Sequence, residues 1–154
     1  MSLLKKFAIL ISLSTLLIGN VIADPAKGSA AEAKAMAEKA VAHAKTVGTE
    51  KAFQDFMNDP KWKDRDLYVY AGDFSGKMLS HGTNKALVGK EWMDLKDANG
   101  FELTKALIDV AKNKGSGWID YVWANPLTKK TDAKTTFAIR IPGFDGYVAV
   151  GAYK

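Results

Sequence analysis

The side chains able to do chemistry in this 154-residue chain are few, and they favour holding a small anion over transforming one. Arginine offers the best match to a carboxylate, because its planar fork donates two parallel hydrogen bonds. Two arginines exist, Arg65 and Arg140. Arg65 stands in the polar stretch 61–66 and is expected to be solvated. Arg140 falls within an alternating segment, in phase with Lys134, Thr136 and Ala138 and opposite Phe137 and Ile139. If that phase lines a pocket, Arg140 is its anion anchor; if it faces water, Arg140 is an ordinary surface charge on a half-exposed strand. Tyr121 and Trp123 share one strand face, and Tyr68 and Tyr70 share another. A tyrosine puts a hydroxyl donor on an apolar body, which suits orienting a small acid and equally suits a core position with a polar tip. His81 closes a hairpin, where it either donates to a carboxylate or holds the loop at Gly82-Thr83-Asn84. Lys90, Trp92 and Asp94 sit in an irregular stretch that either closes over a ligand or is plain loop.

Catalysis finds no support in these residues. The chain has no Gly-x-Ser-x-Gly elbow, phosphate-binding loop or His-Glu-x-x-His run. It has no cysteine, hence no disulfide, thiolate metal site or c-type haem attachment. His43, expected on the open side of a helix, and His81 are too far apart in sequence to suggest zinc. A non-enzymatic chain without metal or cofactor is expected.

These side chains are set in an exported domain. Lys5 and Lys6 precede an apolar run over 7–18, and Val21 and Ala23 are small residues at the third and first positions before a cleavage point after Ala23. That is the layout of a secretory signal peptide over residues 1–23, and its apolar run is short of the ~20 residues of a membrane-spanning helix. The expected location is periplasmic, the alternative being an uncleaved N-terminal tether. Removing Lys5 and Lys6 leaves 20 basic against 17 acidic residues. So small a surplus, spread along the chain, gives no reason to expect nucleic acid or membrane as partner.

The remainder reads as one α+β domain. Residues 24–48 predict a long N-terminal helix, with Met36, Ala40, Ala44 and Val47 as an apolar stripe beside Ala33 and Ala37, closed by Gly48. A shorter helix ends at Asn58-Asp59-Pro60. The period then becomes two: 67–71 and 77–81 flank the turn Asp73-Phe74-Ser75-Gly76 as a hairpin. Asn99 and Glu102 predict a capping box for a helix carrying Leu103, Ala106, Leu107, Val110 and Ala111. Three alternating segments follow, over 117–124, 134–141 and 147–153.

The segment 68–81, Leu87-Val88-Gly89-Lys90 with Leu95-Lys96-Asp97-Ala98-Asn99-Gly100, the run 115–126, and Pro142-Gly143 with the ending Val150-Gly151-Ala152-Tyr153 occur in this order. In that wording residues 49–154 resemble the single Cache family of PAS-like extracytoplasmic sensors. The resemblance implies a five-stranded antiparallel sheet with a long N-terminal helix and a helix over the sheet. It implies a site for a small organic acid such as acetate, propionate, pyruvate or lactate between the sheet and its loop-helix cover. It moves Tyr121 and Trp123 toward that site, and a histidine belongs where His81 stands. Family members mostly serve chemoreceptors or histidine kinases. The sequence stops at the last strand, so a binding protein that presents its ligand to a separate membrane chemoreceptor or sensor kinase is expected, in chemotaxis or other signal transduction. The alternative is an interaction module: a Cache shell without a small-molecule ligand, forming a homodimer or docking a receptor through the apolar stripe of its N-terminal helix.

Overall fold

The computed structural model describes residues 26–154. The expected signal peptide and the first residues of the expected N-terminal helix lie outside the described residues. Helix α1 (Ala30–Val47) starts at a capping box that the sequence reading passed over. Ser29 Oγ accepts from the Glu32 amide, and the Glu32 carboxylate accepts from the Ser29 amide at 2.7 Å. Each side chain therefore satisfies a backbone donor that the first turn would leave open. The buried face of α1 runs through Ala33, Ala37, Ala40, Val41 and Ala44, while Val47 is 38% exposed. Small side chains let the helix lie close upon Phe137, Val148 and Val150 of the sheet. Of the stripe offered above as a docking face, Ala40 and Ala44 are thus buried inside this chain, while Met36 is half-buried and Val47 stays exposed.

Gly48 takes φ 85°, a conformation costly for any residue with a Cβ, and turns the chain into α2 (Thr49–Asn58). Phe53 and Phe56 of α2 join the same core, with Trp62 from the 3₁₀ turn Pro60–Trp62. His43 is not on an open face. Trp62 folds back to within 5.0 Å of its ring, and His43 Nε2 meets Asp55 Oδ2 at 2.8 Å, tying α1 to α2.

The strands are β1 (Lys63–Asp64), β2 (Leu67–Asp73), β3 (Met78–His81), β4 (Ser116–Ala124), β5 (Thr131–Arg140) and β6 (Gly146–Tyr153). All pair antiparallel in the order β1-β2-β6-β5-β4, with β3 also on β2. The five expected strands are present, and two-residue β1 makes a sixth. Strands β2 and β6 are buried nearly throughout, because α1 and α2 cover one face of the sheet and a loop with α3 (Leu103–Asp109) covers the other.

The expected capping box at Asn99 is replaced by a different device. Asp97 Oδ1 accepts from the Asn99 and Phe101 amides, and its Oδ2 accepts from Val122 on β4. Asn99 is therefore part of an Asp-centred turn, Glu102 occupies the cap position of α3 without a capping bond, and its carboxylate pairs with Lys105. The turn ties the covering loop to the edge of the sheet, and α3 continues into a π-helical turn, Val110–Lys114, ended by Gly115 at φ 78°.

Candidate functional site

Strand register decides which side chains meet under the α3 cover. On that face Lys134 of β5 lies between Tyr121 of β4 and Tyr153 of β6, and Thr136 lies opposite Gly151. Tyr70 of β2 pairs with His81 of β3. Leu95, Leu103 and Leu107 close the space from above. They enclose a cavity of about 40 Å³ whose wall includes Tyr68, Tyr70, His81, Trp92, Tyr121 and Trp123. One water position needs roughly 10–15 Å³ on this measure, so the space suits a molecule of a few heavy atoms.

Six of the side chains singled out from sequence therefore share one wall. Lys90 and Arg140 do not line this cavity. Arg140 is at the end of β5, where its guanidinium lies over the Phe74 ring at 5.2 Å and pairs with Asp145 at 3.2 Å. The phase it shares with Thr136 and Ala138, which the sequence left open between pocket and water, does face the cavity side of the sheet, but the pocket ends before the strand does. The cation at the other end of that phase is the buried one. Lys134 is 1% exposed, and its Nζ donates to Tyr68 Oη at 2.9 Å and to Tyr153 Oη at 3.5 Å, above both rings at 4.2 and 4.5 Å. It takes part in none of the ion pairs found among the described residues. Burial disfavours its charge, but the surrounding groups, Tyr68 and Tyr121 foremost, outweigh burial and raise the ammonium above its usual range.

Gly151 makes this placement possible. A Cβ there would stand 2.1 Å from Lys134 Cε and 2.3 Å from Thr136 Oγ1. The lysine stem thus crosses β6 through the gap a glycine leaves. Sequence reasoning missed Lys134 because lysine on a strand ordinarily faces water; the clue was a glycine in the interior of an otherwise apolar strand.

The wall presents donors. Tyr68 Oη accepts from Lys134, which leaves its own proton for another acceptor. Tyr121 Oη is 2.9 Å from Thr136 Oγ1 and 3.4 Å from Tyr70 Oη. Burial raises both Tyr70 and Tyr121 far above the ordinary phenol range, so their hydroxyls stay protonated. His81 Nδ1 accepts from the Asn84 amide at 3.1 Å and the Thr83 amide at 3.4 Å, which places the ring proton on Nε2. Burial, and then the positive charge of Lys134, lower His81 to about 4. No Asp or Glu lines the cavity. A cavity with hydroxyl and imidazole donors, a cation behind it and no carboxylate is arranged to take a small anion.

The histidine carries a pH signature. Unfolded, His81 takes a proton near pH 6.5, whereas folded it resists until about pH 4. Between those values the unfolded state binds more protons, so stability falls as pH drops from 6.5 to 4, by about 3 kcal/mol at the lower end. Denaturant unfolding followed across that window should show this loss in the unaltered protein and not in His81→Gln. Equal slopes in both would remove His81 as its source.

The family model for single Cache domain 2 matches residues 17–154. This chain belongs to the single Cache domain 2 family. Among curated proteins this Cache chain is similar to the sensor histidine kinase MctS of Rhizobium johnstonii, 29% identical over 58% of this chain and 19% of that protein. It is also similar to the methyl-accepting chemotaxis protein McpP of Pseudomonas putida, 24% identical over 58% of this chain and 16% of that protein. The chain thus spans less than a fifth of the length of either. Among solved structures, a methyl-accepting chemotaxis protein from Vibrio parahaemolyticus superposes with a TM-score of 0.70 at 26% identity, covering 80% of this chain and 86% of that one. A Cache chemosensory domain described for its recognition of carboxylic acids superposes at 0.68, with 19% identity, over 80% of this chain and 91% of that one, and so shares the fold. Cache modules of this kind are extracytoplasmic sensor domains of signalling proteins. No helix among the described residues is long and apolar enough to cross a membrane.

Proposed function

We propose that this Cache domain is a periplasmic binding module for a short monocarboxylate of the acetate, propionate, pyruvate or lactate class, and that it passes occupancy to a separate chemoreceptor or sensor kinase. The observation that carries the reading is the buried ammonium of Lys134, held by the hydroxyls of Tyr68 and Tyr153 directly behind the cavity wall. A buried charge is costly unless it is compensated, and a carboxylate in the cavity would supply that compensation through Tyr68. The size of the cavity favours acids of a few heavy atoms over larger dicarboxylates, and the lack of an acidic lining residue disfavours amines and the ammonium group of amino acids. The interaction-module reading loses its main support, since the small-residue face of α1 is buried against the sheet.

The test is a thermal-shift and calorimetric screen of the purified protein against short acids, amino acids and amines. A short monocarboxylate at a hundred times its dissociation constant should add about 2.7 kcal/mol of stability, several degrees in Tm. Stabilisation by amino acids or amines alone, or by none of the compounds, would overturn the proposal.

A further inference from the structure

The buried polar side chains of the cavity wall divide into those with a partner in the protein and those without. Tyr68 accepts from Lys134, Tyr121 is within hydrogen-bond distance of Thr136 and Tyr70, and His81 accepts from the amides of Thr83 and Asn84. Tyr147 of β6 and Thr104 of α3 line the same cavity and are 2% and 4% exposed. Neither hydroxyl takes part in a hydrogen bond among the described residues. Nor is either sealed in, since the fully enclosed side-chain atoms without a partner among those residues are Trp62 Nε1 and Asp66 Oδ2. Both hydroxyls therefore open onto the cavity they line. A polar group withdrawn from water and left without a partner costs free energy. Two of them facing one small cavity are placed to bond a ligand.

Strand register sets this pair apart from the lysine. Tyr68, Tyr70 and Gly72 follow one another on the same face of β2; Lys134 donates to Tyr68 at one end, and Tyr147 pairs with Gly72 at the other. A Cβ at Gly72 would stand 2.7 Å from Tyr147 Oη and 2.9 Å from its Cζ. The phenol thus lies in room that a glycine leaves, as the Lys134 stem does at Gly151. Burial raises Tyr147 far above the ordinary phenol range, so it stays a donor. No carboxylate, lysine or arginine lines the cavity, so the group that suits Tyr147 and Thr104 is an uncharged oxygen and not a second carboxylate or an ammonium. We propose that Tyr147 and Thr104 form a second polar pole of the ligand site, and that the site selects short monocarboxylates bearing a further oxo or hydroxyl oxygen over the unsubstituted acid of the same length. This selectivity presupposes the anion site proposed above and narrows its ligand class.

The test is calorimetric titration of the purified protein with propionate and with pyruvate, lactate and 3-hydroxypropionate, which keep its three-carbon chain and add one oxygen. At least one of the three should bind roughly tenfold or more tighter than propionate, because a site built to bond an oxygen discriminates against the analogue that lacks it. Tyr147→Phe and Thr104→Val each delete one hydroxyl with little change of shape, and each should reduce that preference about fivefold, the worth of one net hydrogen bond. Thr104→Ser keeps the hydroxyl and should keep the preference. Without ligand, Tyr147→Phe should melt like the unaltered protein, because its hydroxyl has no protein bond to lose; a fall of several degrees would place that hydroxyl in the fold and overturn the proposal. If one variant does not fold, the other carries the comparison. Propionate binding as tightly as all three oxygenated acids, or a preference that survives loss of either hydroxyl, would overturn the selectivity and leave the anion site standing. Binding of none of the four acids would overturn both.

Discussion

Replacing Lys134 by methionine is expected to abolish binding of short carboxylates while leaving a folded protein. Methionine keeps the unbranched stem that crosses Gly151 and removes only the ammonium. Methionine relieves the desolvation cost of the buried ammonium while giving up its bonds to Tyr68 and Tyr153, and the hydroxyls left behind retain other bonds. Tyr153 Oη still donates to Ala124 O at 2.6 Å. Binding behaves differently, since removing one member of a desolvated charge pair costs 2–5 kcal/mol, of which ~3 kcal/mol corresponds to roughly a hundredfold. Titration calorimetry with the best acid from the screen, alongside circular dichroism, would measure both. Arg140→Ala serves as the comparison. Its guanidinium is outside the cavity and pairs with Asp145 at the surface, so affinity should change less than about threefold there. Loss of binding in Arg140→Ala with retention in Lys134→Met would reverse the assignment of the anchor.

The second large effect is expected at Gly151, where alanine should damage stability and binding together. The added methyl would stand at 2.1 Å from Lys134 Cε and 2.3 Å from Thr136 Oγ1, with β2 and β5 paired on either side of β6. The lysine stem is flexible, yet it is enclosed, so its retreat would draw the ammonium from Tyr68 and Tyr153. Overpacking of this kind costs about 2–3 kcal/mol, or about 10 °C in a domain of this size. Combining Gly151→Ala with Lys134→Ala should recover part of the lost stability, because the larger of the two clashing groups is gone, without restoring binding. A Gly151→Ala protein that melts like the unaltered one and binds acid normally would show that the stem has another route across the sheet.

Much of this architecture was legible as pattern. Alternation over 67–71 and 134–141, the turn at Asp73–Gly76 and the stripe of Leu103, Leu107 and Val110 are local signals, because strand and helix periods are set by neighbouring residues along the chain. The family wording in residues 115–126 carried the fold class and the side chains Tyr121 and Trp123 with it. Tyr68, Tyr70, His81 and Trp92 could be named as candidates by chemistry, but pattern could not say that they share a wall.

What remained undecided depends on register and on where a cover ends. Arg140 and Lys134 occupy the same phase of β5, so sequence assigns both to one face and cannot choose between them. Only the pairing of β5 with β6 sets Lys134 over Gly151 and leaves Arg140 at the rim with Asp145. Asn99 with Glu102 had the spacing of a capping box, but Asp97 accepts from the Asn99 and Phe101 amides instead. The sequence by itself determined the order of helices and strands, the family and the stock of donors. The tertiary structure alone decided which cation is buried, because burial is a property of neighbours that are distant along the chain, and for Lys134 those neighbours are Tyr68, Gly151 and Tyr153.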